Sequence, residues 1–283
     1  MESTSTDLSL GQLATLACVL EVSIPKPGNV HRGADFADTT INDFLISAVA
    51  IAPAMDVAAT TPLGETVLRA VRDTRRLINV NTNLGIILLL SPLAAVSHVD
   101  SDSIRQFLAN TGPGDAAQVY EAIAMCSPGG LGRAAQHDVR SEETPDSIVA
   151  AMQLAAARDM VAAQYCNGFD EVLGFVLPAI RQAQEGGHNL VEAVIHAHIQ
   201  TMHQYPDSLI ARKNGSELAA QSAAMAGNVL SSGEPFGEDY MAALADLDFW
   251  LRADGNRRNP GTTADLIAAA LFAGLRLNQI SLG

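Results

Sequence analysis

Apolar residues recur at three- and four-residue intervals along almost the whole chain, the spacing of helices that bury one face. The pattern predicts a first helix over 7–24, capped by Ser9 and ended by Pro25 and Pro27. A polar loop, 26–40, follows. Further helices are predicted near 41–59, 63–79, 84–96, 101–110 and 113–126, with Arg69, Arg72, Arg75 and Arg76 on the polar side of the third. A stretch rich in Gly and charge, 127–145, reads as a loop. Beyond it helices are predicted near 146–166, 169–186, 189–204, 214–232, 236–253 and 262–278. No alternating run bounded by turns predicts a strand; Leu84 to Leu90 is short and apolar enough to be ambiguous. The expected fold is all-α, a single compact multi-helix domain over 1–283, because neither half has a composition of its own.

Composition agrees. Hydrophobic residues make up 48% of the 283 and aromatics 5%, with Ala and Leu prominent, which favours helices over strands. The formal net charge of −14 argues against nucleic acid and anionic membranes as partners. The polar, acidic N-terminus does not resemble a targeting peptide, and the longest apolar runs, such as Leu84 to Ala95, are too short to span a bilayer, so a cytoplasmic protein is expected. Cys18, Cys126 and Cys166 lack metal-binding spacing, as do His188, His196, His198 and His203; His98 and His137 carry no motif.

Charge matters more in its placing than in its sum. The two lysines, Lys26 and Lys213, both lie in Gly-containing, turn-prone stretches. Four polar loops abut helices. The first runs from Glu21 through Pro25-Lys26-Pro27-Gly28-Asn29-Val30-His31 to Asp35 and Asp38. It sets a cation for phosphate beside carboxylates for Mg²⁺. The second, Asn79-Val80-Asn81-Thr82-Asn83-Leu84-Gly85, holds more Asn than one helix cap needs, at a helix start able to meet an anion. The third, Asp207 to Gly215, carries the adjacent cations Arg212 and Lys213. The fourth, Arg257-Arg258-Asn259-Pro260-Gly261-Thr262-Thr263-Ala264-Asp265, is a Gly turn feeding a helix whose first turn offers hydroxyls and an acid. Each has an ordinary reading as a cap, turn or solvated end. Neither a P-loop nor a Rossmann fingerprint is present.

In this order, from about Gly11 to about Leu275, the four loops resemble the triphosphoribosyl-dephospho-coenzyme A synthase family. The resemblance implies an all-helical transferase that takes ATP and Mg²⁺, expels adenine, and joins the triphosphoribosyl group to a ribose hydroxyl of 3′-dephospho-coenzyme A. Citrate-type members carry an acid soon after Pro-Gly, a His-Lys pair after Asn-Thr, and Arg-Gly-Gly. This chain has Asn29-Val30-His31, Asn83-Leu84 and Arg212-Lys213-Asn214-Gly215 instead, the mark of a divergent branch. The alternatives are a nucleotide N-glycosidic-bond enzyme of another coenzyme pathway, such as a tetrahydromethanopterin-type one, and a nucleotide-binding protein without catalysis. Breaking an N-glycosidic bond calls for acids and bases at the sugar. Glu21, Asp35 and Asp265 are the expected catalytic residues. Lys26, Gly28, Asn29, His31, Asn81, Asn83, Arg212, Lys213, Asn259, Thr262 and Thr263 are expected to bind substrate and phosphate, and Asp38 and Asp207 the metal. Nucleotide and coenzyme substrates are the expected partners, with a homodimer allowed.

Overall fold

The computed structural model describes residues 8–126 and 147–283, and among these there are helices and no strand. The loop expected over 127–145 lies outside the described residues. In order, the helices are α1 (Leu10–Ser23), α2 (Ile41–Ala50), α3 (Ala52–Met55), α4 (Leu63–Leu77), α5 (Leu84–Ala95), α6 (Ser101–Ala109), α7 (Pro113–Cys126), α8 (Ile148–Ala156), α9 (Met160–Asn167), α10 (Leu177–Glu185), α11 (Leu190–Gln204), α12 (Ser208–Asn214), α13 (Ser216–Ser231), α14 (Glu238–Arg252) and α15 (Gly261–Arg276). They pack into one all-α domain, as the periodicity predicts.

Two helices are apolar on every side and form the centre. In α15, Leu266 to Leu275 are all buried, and α5 buries nearly all its residues. A helix without a polar face has no place at a surface. α1 and α5 both pack against α15. Pro92 sits inside α5 and has no N–H for the carbonyl of Leu88, four residues back. The Tyr165 hydroxyl fills that vacancy, donating to the Leu88 carbonyl at 2.7 Å. At the end of α5, Arg276 donates to the carbonyls of Leu93 and Val96.

Caps set the boundaries that bear on the site. Ser9 and Gln12 form a capping box at α1, which ends where Ile24 turns extended before Pro25. The helix expected over 41–59 is broken: α2 stops at Ala50, and Pro53 opens the short α3. The stretch Ile41–Thr60 has the length and apolarity of a membrane span by composition, contrary to the expectation that no run is long enough. It folds as separate short helices packed on α1 and α4. The helix expected over 146–166 is also two, because Asp159 caps α9 through Val161 N (2.9 Å) and Ala162 N (3.3 Å). In the span expected as one helix over 169–186, Val172–Val176 open into a π turn just before Pro178. α12 lies where a loop is expected. Asp207 starts it by accepting from Leu209 N and Ile210 N, both at 2.9 Å, and Gly215 ends it at φ +96°.

Candidate active site

The loop after α1, the start of α5, the junction of α8 and α9, the end of α12 and the start of α15 enclose a cavity of about 400 Å³. All four polar loops of the sequence reach it: Glu21 and Asn29 from the first, Asn81 and Asn83 from the second, Arg212 and Lys213 from the third, Asn259, Thr262 and Asp265 from the fourth. Phe36, Phe44, Ile123 and Met152 form an apolar wall.

Part of the lining is cationic. Arg212 Nη1 is held by Asp159 Oδ2 at 2.7 Å, so the carboxylate that caps α9 also aims the guanidinium. Lys213 donates to the Asn256 carbonyl at 3.1 Å, and burial lowers its pKa from the ordinary lysine value. Thr262 accepts from Ser208 at 3.0 Å, leaving its own hydroxyl proton for a ligand. Arg158 adds a further positive charge to the lining.

Glu21 and Asp265 add acids to the same lining. Glu21 is ion-paired with Lys26 at 2.9 Å. Asp265 lines the cavity and accepts no hydrogen bond from the described residues. Burial, followed by the nearby charges of Glu21, Asp207 and Asp159, pushes its pKa well above the carboxylate range, with Arg212 opposing. A carboxyl in these surroundings favours its protonated form. Its room comes from Gly85, because any side chain at that position would overlap the carboxyl group. Also in the lining, Asn29 donates from Nδ2 to Asn259 Oδ1 at 2.6 Å.

The remaining candidates lie elsewhere, each for a visible reason. Lys26, expected to bind phosphate, is fully buried. Its ammonium contacts the Glu21 carboxylate and donates to the carbonyls of Glu21 and Ile24, which exhausts its three protons. Asp35, expected to be catalytic, is exposed and accepts from Ile41 N at 2.7 Å, at the start of α2. Asp38, expected to bind metal, is exposed and accepts from Asn256 Nδ2 at 2.7 Å. Asp207, the other metal candidate, is saturated. Besides its two α12 amides it accepts from Thr263 N and Thr263 Oγ1, both at 2.8 Å. The same bonds remove Thr263 from the cavity. His31 accepts from Gly33 N at 3.1 Å within its own turn. Gly28 shapes the loop: at φ +74° its N–H reaches Asp248 at 2.7 Å, and a side chain there would strike Leu251 and Pro260.

The polar lining residues not foreseen include Arg158, Asp159 and Asn256, besides Thr39, Thr82 and Tyr120. Asp159 carried a usable signal, a capping residue followed by an apolar run, inside a span that read as one continuous helix. Asn256 lies in the recognised turn after α14 without standing out there. No group of three or more His, Cys, Asp or Glu able to hold a metal ion occurs among the described residues. The late histidines follow suit: His198 is wholly buried, His196 meets the Tyr240 hydroxyl at 3.0 Å, and His203 the Ala223 carbonyl at 3.2 Å.

An all-helical fold closing a polar cavity over its central helix is a scaffold for small-molecule chemistry. The family model described as ATP:dephospho-CoA triphosphoribosyl transferase matches residues 7–281, and the chain belongs to that family of transferases. A Malonomonas rubra protein described as a probable 2-(5''-triphosphoribosyl)-3'-dephosphocoenzyme-A synthase is 24% identical over 281 residues, 93% of this chain and 86% of its own. A solved structure from Archaeoglobus fulgidus, described as a triphosphoribosyl-dephospho-coA synthase, aligns with a TM-score of 0.63 at 24% identity. It covers 83% of this chain and 98% of its own, and shares the fold.

Proposed function

We propose that this enzyme transfers the triphosphoribosyl group of ATP to a ribose hydroxyl of 3′-dephospho-coenzyme A, releasing adenine, and that it does so in the cavity above α15. The observation that carries the reading is Asp265, proton-favouring and without a hydrogen-bond partner among the described residues, in the same cavity lining as Arg212 and Lys213. Phosphate needs the cations, and a departing purine needs the acid.

The residues divide the work by chemistry. Arg212 and Lys213 hold the triphosphate, with the Thr262 hydroxyl as a further donor. Asp265 gives its proton to the purine nitrogen as the bond to the sugar breaks. Glu21, fixed by Lys26, faces the developing positive charge on the sugar and takes the proton of the attacking hydroxyl. Charge balances: one proton leaves with adenine and one arrives from the acceptor. Asp207 is saturated by four donors and Asp38 is engaged by Asn256, so neither is assigned to a resident metal. Mg²⁺ therefore enters as part of the substrate, bound to the triphosphate.

The test is incubation of the purified protein with Mg·ATP, with and without dephospho-coenzyme A, followed by chromatography of free adenine. Adenine that appears only with the acceptor supports the transfer. Adenine without the acceptor means water is the nucleophile, and no adenine under either condition sinks the reading.

A further inference from the structure

We infer that the Asn29 side chain binds a ribose hydroxyl of the nucleotide substrate and makes the enzyme selective for ribonucleotides. The inference rests on the nucleotide reading of the cavity. Asn29 is 5% exposed and lines the cavity, yet its Oδ1 has no hydrogen-bond partner among the described residues. A buried polar atom without a partner costs about 1–3 kcal/mol, so native folds pair nearly all of them.

This orphan is held rigidly. Its Nδ2 is bonded to Asn259 at 2.6 Å, its carbonyl accepts from Arg252, and the preceding Gly28 N–H is bonded to Asp248 at 2.7 Å. Asp248 also receives Arg252 Nε, at 2.8 Å, so one carboxylate ties the turn and its clamp together. Four hydrogen bonds fix this turn and leave one buried amide acceptor, in a residue of the cavity lining, without a partner among the described residues.

The chemistry of that acceptor excludes phosphate, which at neutral pH chiefly accepts hydrogen bonds. The groups on a nucleotide that donate are the ribose hydroxyls and the base amine. Position selects the sugar. Asn259 directly precedes the Pro260-Gly261-Thr262 start of α15, and the same turn takes the Lys213 ammonium on the Asn256 carbonyl. The amide pair therefore sits beside the phosphate-binding groups, where the first part of the nucleotide met is its ribose.

The test is calorimetric titration of ATP, 2′-deoxy-ATP, 3′-deoxy-ATP and inosine triphosphate into wild type, Asn29→Ala and Asn29→Asp. A site built around a hydroxyl rejects the analogue lacking it, so one deoxy nucleotide should bind wild type about tenfold or more weakly than ATP. Asn29→Ala should bind ATP and that analogue equally, and Asn29→Asp, which keeps an acceptor, should still prefer ATP. Parallel titration with dephospho-coenzyme A and its 2′-deoxy form tells whether the sugar belongs to the donor or the acceptor. The inference is overturned if wild type binds both deoxy nucleotides as well as their ribo forms, which needs no variant to fold. It is also overturned if Asn29→Ala keeps the preference, or loses only that for ATP over inosine triphosphate. Because binding is the readout, a lack of adenine release counts against the transfer reaction and leaves this result standing.

Discussion

The carboxyl group of Asp265, on α15, occupies the space that a side chain on Gly85, in the first turn of α5, would fill. The two central helices thus meet through a glycine and an acid, and the acid is pressed to the floor of the cavity. Gly85 lies in ordinary helical backbone, so alanine there is conformationally acceptable and even favoured. Gly85→Ala is expected to displace Asp265 and cut adenine release about 100-fold while helicity stays unchanged, a shift of ångström size being enough for such a loss. Circular dichroism alongside the chromatographic assay checks both halves. Full activity in this variant would remove Asp265 from the chemistry.

Asp265 also ties function to stability. Its pKa is raised in the folded chain by burial, then by Glu21, Asp207 and Asp159. The folded state therefore holds a proton that the unfolded state has already lost. Stability falls as pH rises from the ordinary carboxylate range through the raised value. Asp265→Asn removes that loss. Thermal melts from pH 4 to pH 8 should show the variant gaining on wild type as pH increases, by a few degrees at neutral pH, with activity down about 100-fold. A constant gap across the range would mean that Asp265 titrates normally.

Lys26 was legible as special and misread in kind. Removing it leaves Glu21 buried without its counter-charge, close to Asp265. Lys26→Met is expected to destabilise the fold by about 3–5 kcal/mol, the usual cost of breaking a buried pair from one side. Denaturant titration measures it. Glu21→Gln with Lys26→Met should recover much of the loss, since neither partner then carries charge; no recovery would show that Lys26 acts on something other than Glu21.

Metal dependence follows from the saturated Asp207. Mg²⁺ alone is expected to leave the melting temperature unchanged, and Mg·ATP to raise it, because the ion has partners only on the triphosphate. A rise with Mg²⁺ alone would establish a resident site and restore the acids to metal duty.

The fold was readable because its signals are local. Apolar periodicity marks the helices, and Ser9 and Pro25 mark the ends of the first. Most errors sit where a helix is interrupted without losing its period, at Ala50, at Asp159 and at the π turn of Val172–Val176; α12 was missed because its seven residues are too few to show a period. Of the candidate site, the four loops were readable as unusual stretches, since turns rich in charge and Gly stand out against an Ala–Leu background. The duty of each residue within them was not. Whether an acid caps a helix, as Asp207 and Asp35 do, or stands unpaired, as Asp265 does, depends on partners far away in sequence. Asp207 finds Thr263 and Asp265 finds Gly85 only after the chain has folded. Lys26 is the same case in reverse, a cation whose partner lies five residues back but whose burial is decided by the whole core.

One bond pattern has a mechanical meaning. Asp207 takes the first amides of α12 with one oxygen and the first turn of α15 with the other. α12 carries Arg212 and Lys213, and α15 carries Asp265. A single carboxylate is thus the pin through two levers, setting the reach from the cationic jaw to the proton donor before any nucleotide arrives.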